Sequence, residues 1–425
     1  MPLSRIAAGL SLFMAFALIL ANPARADNWP AWRGATGQGL CTEKNLPTKW
    51  SATENVKWKI DLPDAGNSTP IVWGDKIFLT QSTEKGKKRS LYCLSRKDGS
   101  KIWEKTVEFE GKEQKHATNT YCAASPVTDG ERVVVFHGSA GMYCYDFTGK
   151  ELWKKELGPC DHIWGSAASP IIYKDLVIHN FGPHEKPFLI ALKKTDGEQV
   201  WKNDEIGRKP TEFFGSWSTP VIAKVGERTE LLMSWPGIVK SCEPETGKLI
   251  WSSKGLEKDG APDRLVYTST LASDKYIFAA AGYSGAAIGV KPGGDGDVTS
   301  THRLWRVAKG NPQRIGSGVI VGDYAYIVNE PSIACIDLKT GKQQWDKPIS
   351  GGSWSSIVAA DGKLYLTSQR GETFVFAPNP KEYDEIAVNK LDGSVTRASI
   401  APSDGEFFIR TYKHLWCVGK ANGER

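Results

Sequence analysis

Seven tryptophans close seven copies of one short phrase in this chain. Trp58, Trp103, Trp153, Trp201, Trp251, Trp305 and Trp345 recur every 40 to 54 residues. Ahead of them stand a β-branched strand, a strand of the form apolar-x-Cys or apolar-x-Ala, and a turn that usually contains Gly. The clearest copies are Tyr143-Cys144-Tyr145-Asp146-Phe147-Thr148-Gly149-Lys150-Glu151-Leu152-Trp153 and Ile333-Ala334-Cys335-Ile336-Asp337-Leu338-Lys339-Thr340-Gly341-Lys342-Gln343-Gln344-Trp345. A period of this size in a sequence built of short strands points to a propeller, with one four-stranded sheet per repeat.

Each repeat parses into strands A to D, from the axis outward. In the second, Ala124 to Val127 is A, Arg132 to Phe136 is B, Met142 to Asp146 is C and Lys150 to Lys154 is D. Asp129-Gly130 and Thr148-Gly149 are hairpin signals, because Gly supplies the positive φ of tight turns. Innermost strands fall near Thr69, Ser125, Ser169, Thr219, Thr270, Ser317, Ser356 and Ser399, which makes eight blades. The outer strands are displaced by one. Trp58 precedes every A strand, and nothing after His414-Leu415-Trp416-Cys417-Val418 can serve as a D strand. Val56 to Leu62 is therefore expected to complete the last blade. The expected fold class is all-β: an eight-bladed β-propeller of four-stranded antiparallel blades, closed by the N-terminal strand, with no open sheet edge. Two repeats are irregular. The seventh has Val388-Asn389-Lys390-Leu391 where a Trp is expected, and the fifth has the long loop Gly293 to Thr301.

Residues 1–26 read as a cleavable signal peptide. Arg5 is the positive start, Leu10 to Ala21 the apolar stretch, and Ala24-Arg25-Ala26 the cleavage signal. The apolar stretch is too short to span a membrane comfortably, and no later segment is long enough. Residues 27–425 are then one propeller domain, exported to a periplasm. Losing the leader removes two arginines and no acid, so the formal charge of +6 falls to +4. That balance, with lysines scattered over turns, argues against a nucleic-acid partner.

The repeat resembles the PQQ-type β-propeller repeat shared by quinoprotein alcohol dehydrogenases and BamB-like outer-membrane assembly factors. The opening Asn28-Trp29-Pro30-Ala31-Trp32-Arg33-Gly34 is similar to the W-P-x-x-R-G start of exported PQQ-like proteins of planctomycete-type bacteria. The resemblance covers almost the whole mature chain. It implies the fold, and it leaves activity open because catalytic and scaffold proteins share the repeat. In the quinoproteins it implies a pair of adjacent cysteines under the cofactor and a calcium site of acid and amide side chains. No two cysteines are adjacent here, and no C-x-x-C-H haem motif or G-x-S-x-G element is present. PQQ is therefore not expected, and no other cofactor is assigned.

In an up-and-down propeller the D-to-A and B-to-C connections open on one face. Here the D-to-A connections are long and rich in aromatic and polar residues, and they enter the innermost strands, so they should ring a central funnel. The candidate ligand-binding residues are His116, Asn119, His137, Asp161, His162, Trp164, His179, Trp217, Arg264, Tyr267, Arg314, Trp354 and Arg397. Indole faces beside guanidinium groups favour a planar or anionic ligand. Five of the seven histidines, His116, His137, His162, His179 and His184, fall in the second and third repeats, a grouping able to hold a metal or shuttle protons. Their spacing matches no known metal signature. Asp295-Gly296-Asp297 is a weak calcium-like fragment on the opposite face.

Cys93, Cys144, Cys242, Cys335 and Cys417 share one register in strand C and are expected to be buried thiols on separate blades. Cys122 and Cys160 precede consecutive A strands on one face and form a candidate disulfide. The function expected is a non-catalytic binding or scaffold propeller that takes a ligand, peptide or protein partner on its funnel face. The alternative is a PQQ- or metal-dependent oxidoreductase of the quinoprotein type.

Overall fold

A computed structural model describes residues 28–420 except 210, 258, 260–263 and 309–313. The leader expected over residues 1–26 lies outside the described residues. Among the described residues no helix is long and apolar enough to cross a membrane.

Eight four-stranded antiparallel sheets follow one another around an axis. Blade 1 is Ile71–Trp73, Lys76–Thr83, Lys88–Ser95 and Lys101–Glu108. The last blade takes Ala401–Ser403, Glu406–Arg410 and His414–Gly419 from the C-terminal end and Val56–Asp61 from the N-terminal end. Val56–Asp61 pairs antiparallel with the strand ending at Gly419, placing Trp58 opposite Cys417. The closure expected from the displaced tryptophan is the one that forms.

The tryptophan phrase is a device for docking one blade on the next. Trp58 Nε1 donates to the Arg96 carbonyl at 2.8 Å, Trp103 to Phe147 at 3.0 Å, Trp153 to Lys194 at 2.9 Å and Trp201 to Pro244 at 3.0 Å. Trp305 and Trp345 reach Leu338 and Asn379 in the same way. Each acceptor lies in the C-to-D turn of the following blade. The turn glycine lets the indole lie flat on it: a Cβ on Gly99 would stand 2.8 Å from the Trp58 ring, at φ +74°. Trp251 breaks the series because blade 5 lacks that turn. Its Nε1 donates instead to the fully buried Glu230 Oε2 at 2.8 Å, which also accepts from Ser241.

Two irregular repeats are resolved by borrowed segments. The blade 5 loop lays Gly296–Asp297 parallel to Trp251–Ser252 as a fifth strand on blade 4. Asp297 is taken by Lys254 and Thr299, and Asp295 by Arg228, so the calcium-like fragment is an edge clasp. In blade 7, Ala387 sits opposite Val375 at the tryptophan position. Trp50 from the N-terminal segment packs in the same apolar cluster, 5.6 Å from Phe407.

The strand C register holds with one slip. Cys93, Cys144, Cys335 and Cys417 face the tryptophan of their own blade. In blade 4 Ser241 takes that place and Cys242 faces Leu249, one residue on. All five are buried free thiols. Burial pushes Cys93, Cys144 and Cys335 up to about 12 and Cys242 to about 11.

Candidate functional site: the axial cavity

Two residues before each A strand stands a hydroxyl residue, and these residues are tied into a closed circle. The backbone N–H of Thr69 donates to Ser125 Oγ, Ser125 to Ser169, Ser169 to Thr219 and Thr219 to Ser269. Ser269 donates to Ser317, Ser317 to Ser356, Ser356 to Ser399, and Ser399 back to Thr69. Every bond is 2.9 to 3.1 Å. In blade 5 the member is Ser269, one residue before Thr270. The ring fixes the spacing of the eight innermost strands and lines the axis with oxygen.

Above the ring lies a cavity of about 420 Å³. Thr69, Ser169, Thr219, Ser356 and Ser399 belong to its base, and Trp164, Phe213, Trp217, Tyr267, Tyr283 and Trp354 are in its walls. Asn67, Thr118, Asn119 and Arg397 supply polar groups. The D-to-A connections bring these residues in. Phe214–Ser216 and Arg264–Val266 pair as a short parallel ribbon, and Trp217 N–H then donates to the Val266 carbonyl at 2.8 Å. Trp217 packs 5.4 Å from Tyr267 and donates Nε1 to Gly165 at 2.7 Å. Asn119 Nδ2 donates to the carbonyls of Trp164 and Ser166, tying the second connection to the third.

Arg397 is the cation in the wall. Its guanidinium lies 4.2 Å from the Trp354 ring centroid and 5.5 Å from Tyr412. Arg397 Nε donates to Gln369 Oε1 at 3.0 Å, and Nη1 donates to Tyr412 Oη at 2.6 Å and to the Thr118 carbonyl. Among the described residues Nη2 takes no hydrogen-bond partner. Trp354 Nε1 donates to Glu330 Oε2 at 2.7 Å, and Gln369 Nε2 donates to Oε1 of the same carboxylate. Indole and guanidinium are thus both held before any ligand arrives. Burial raises the Glu330 carboxyl above its usual range, while the Trp354 hydrogen bond and the Arg397 charge act in the other direction.

Of the predicted residues, Asn119, Trp164, Trp217, Tyr267, Trp354 and Arg397 line the cavity. His116 stands beside it, 4.5 Å from Trp164 and bonded through Nδ1 to Thr118 Oγ1. The side chain of Arg264 lies outside the described residues. Arg314 is buried behind the wall, its Nε on Asn329 Oδ1 and Nη1 on the Gly285 carbonyl. His137, His162 and His179 do not reach the cavity. His137 follows the B strand Arg132–Phe136, and His179 lies inside the B strand Leu176–Phe181, opposite Ile190; both are buried. His179 packs 4.3 Å from Phe136, and His162 lies edge-on to Trp217, with Asp161 close enough to act on its charge. Burial holds His137, His179 and His184 down at about 3 and His162 at about 4. Among the described residues no three His, Cys, Asp or Glu side chains form a group able to hold a metal ion.

The Cys122–Cys160 bridge is not formed, and both thiols are free and buried. Cys122 turns toward blade 1, where Ser82 Oγ donates to its sulfur at 3.4 Å and Arg410 Nη2 lies 3.8 Å away. Cys160 packs in the apolar cluster between blades 2 and 3. Trp32, Asn67 and Tyr283 were not among the expected site residues. Trp32 belongs to no repeat, and Tyr283 sits on a B-to-C hairpin whose composition carries no signal beyond Gly282 and Gly285.

A family model described as outer membrane protein assembly factor BamB matches residues 87–347 and 294–406. The chain belongs to this BamB family of PQQ-like repeat propellers. Its fold is similar to BamB from Moraxella catarrhalis, with a TM-score of 0.60 and 15% identity over 84% of this chain and 98% of that one. It is also similar to the quinohemoprotein alcohol dehydrogenase of Comamonas testosteroni, with a TM-score of 0.68 and 11% identity over 95% of this chain and 82% of that one. In sequence this BamB-family chain is 22% identical to a polyvinylalcohol dehydrogenase of Sphingopyxis sp., over 84% of this chain and 43% of that protein. It is 22% identical to a tetrathionate hydrolase of Acidithiobacillus ferrooxidans, over 71% of this chain and 50% of that protein. The chain spans about half the length of these curated relatives.

Proposed function

We infer that this BamB-family propeller is an exported binding protein whose axial cavity takes a planar, anionic small molecule. The observation that carries the reading is the Trp354–Arg397 pair, pre-set in the wall of a cavity otherwise lined by aromatic faces and hydroxyls. A volume of about 420 Å³ lies in the range of small-molecule sites. The charge around the axis has the matching sign. Arg33, Arg314 and Arg410 are buried and hydrogen-bonded to neutral oxygens: Gln38 and Gly318 carbonyls, Asn329 and Gly285, and Ser68, Thr80 and Gln81. Buried guanidinium groups without carboxylate partners make an anion welcome in the space between them. The apolar, signal-like run before the fold supports export.

The dehydrogenase relatives favour a second reading, a quinoprotein oxidoreductase. The residues present do not fit a calcium-bound PQQ. Among the described residues the cavity wall holds no carboxylate and no vicinal cysteine pair, and PQQ carries three carboxylates against the single wall cation described. The binding reading is therefore preferred.

Calorimetric titration with naphthalene-2-carboxylate tests it. One-to-one binding, with the cationic 2-naphthylmethylammonium isostere bound at least tenfold more weakly, supports the reading. Equal affinity for both ions, or no heat from either, overturns it. A stoichiometric quinone absorbance band that survives dialysis after addition of PQQ and calcium would establish the oxidoreductase reading instead.

A further inference from the structure

Before it becomes a blade strand at Val56, the N-terminal segment runs across the face opposite the funnel. Trp29 exchanges both backbone hydrogen bonds with Val72, and the Pro30 carbonyl accepts from Thr128. Gln38 Oε1 accepts from the Ala272 N–H, and the Gly39 carbonyl from Ala359. Leu40–Cys41 then pairs parallel with Val358–Ala360. These partners lie on or beside the A strands of blades 1, 2, 5 and 7. In an eight-membered ring blades 1 and 5 are diametrically opposed, so a segment bonded to both crosses the axis.

The residues that make the crossing are Trp32 and Arg33. Trp32 is half-buried and belongs to the walls of two cavities. One is the funnel cavity. The other, of about 190 Å³, lies on the opposite face against Thr128, Ile171 and Ile222. The neighbours of Trp32 in sequence hold it there. Arg33 is fully buried, and its Nη2 donates to the Gln38 carbonyl and to the Gly318 carbonyl of blade 6. The Trp29 ring lies on Gly34, where a Cβ would stand 2.6 Å from it at φ +78°. The Trp-Pro-Ala-Trp-Arg-Gly run is thus accounted for as one device that aims a single indole along the axis.

We propose that the N-terminal segment is a stopper that turns an open axial channel into a blind cavity, and that Trp32 is the floor of the ligand site. The contact with ligand rests on the reading of the cavity as a binding site; the stopper does not. Among the described cysteines the seven other than Cys41 are buried, so a Trp32→Cys variant in a Cys41→Ser background places one reachable thiol at the floor.

Methyl methanethiosulfonate should modify one thiol in the folded protein within minutes, and saturating naphthalene-2-carboxylate should slow that modification at least tenfold. A thiol at position 32 that reacts only after denaturation overturns the stopper. Modification at an unchanged rate, with binding confirmed by calorimetry, overturns the floor contact. If the naphthoate does not bind at all, the ligand class proposed above fails while labelling still decides the stopper. Trp32→Phe, which keeps a ring at the site, is the second variant. It should fold with an unchanged melting temperature and bind the naphthoate three- to tenfold more weakly, and unaltered affinity would overturn the contact.

Discussion

The backbone N–H of Ser399 donates to Thr69 Oγ1 at 3.1 Å, and this bond between the last blade and the first completes the hydroxyl circle. The velcro strand Val56–Asp61 closes the ring at its outer edge, and Thr69 closes it at the axis. The chain also joins these two blades through residues 62–70, and the strands drawn from its two ends meet inside the last blade, where Val56–Asp61 pairs with His414–Gly419.

Thr69→Val keeps the shape of the side chain and removes the acceptor. The Ser399 N–H is then buried without a partner, which costs about 1–3 kcal/mol. Urea denaturation should show that loss with an unchanged m-value. Equal stability of variant and wild type would mean that the circle contributes nothing to closure.

At the outer edge, Trp58→Ala removes the Arg96 hydrogen bond and the ring that lies on Gly99. Because Trp58 is only partly buried, the expected loss is about 2–3 kcal/mol, below that of a fully buried Trp. Gly99→Ala should cost a similar amount, and the double variant should lose less than the sum, since both changes break one contact. Strict additivity would separate the two residues.

The same contacts show how far the sequence could be read. Blade number was legible because a hydroxyl residue marks each of eight innermost strands, and closure because the missing D strand after Val418 matched the surplus one at Trp58. Cavity-lining residues on D-to-A connections, Trp164, Trp217, Trp354 and Arg397, were legible through the alternation of faces in an up-and-down sheet. The histidines were misplaced because that alternation gives the face on which a strand ends, not the direction of the side chain there. His137 follows its strand on the expected face and is buried there, and His179 lies inside its strand, packed on Phe136 of the neighbouring blade. The slip of Cys242 was invisible because Ser241 and Cys242 differ little in size. Trp32 had no period to betray it, since the segment that carries it crosses the repeats instead of belonging to one.

The buried histidines make the fold sensitive to acid. His137, His179 and His184 are held at about 3 and His162 at about 4, first by burial, then by the Arg89 charge for His137 and by one another for His184. In the unfolded chain each titrates near 6.5. Below that pH the unfolded state binds protons that the folded state does not, so stability falls as pH drops from about 6.5 toward 4. The loss is roughly 2 kcal/mol for each such histidine by pH 5. His179→Gln should reduce the slope of stability against pH in this window by about one proton. A slope equal to that of wild type would show that His179 is not held neutral.

The most direct measurement of the central claim is the affinity of Arg397→Gln for naphthalene-2-carboxylate, set beside its thermal stability. The side chain lies in the cavity wall and stacks on Trp354. Its loss should remove a charge-assisted contact of about 1.5–3 kcal/mol, a ten- to hundredfold weaker dissociation constant, while the melting temperature moves by only a few degrees. Binding of the cationic isostere should not weaken. Undiminished affinity for the naphthoate in a folded Arg397→Gln protein would contradict the account, because the axial cavity would then not be the place where the anion is held.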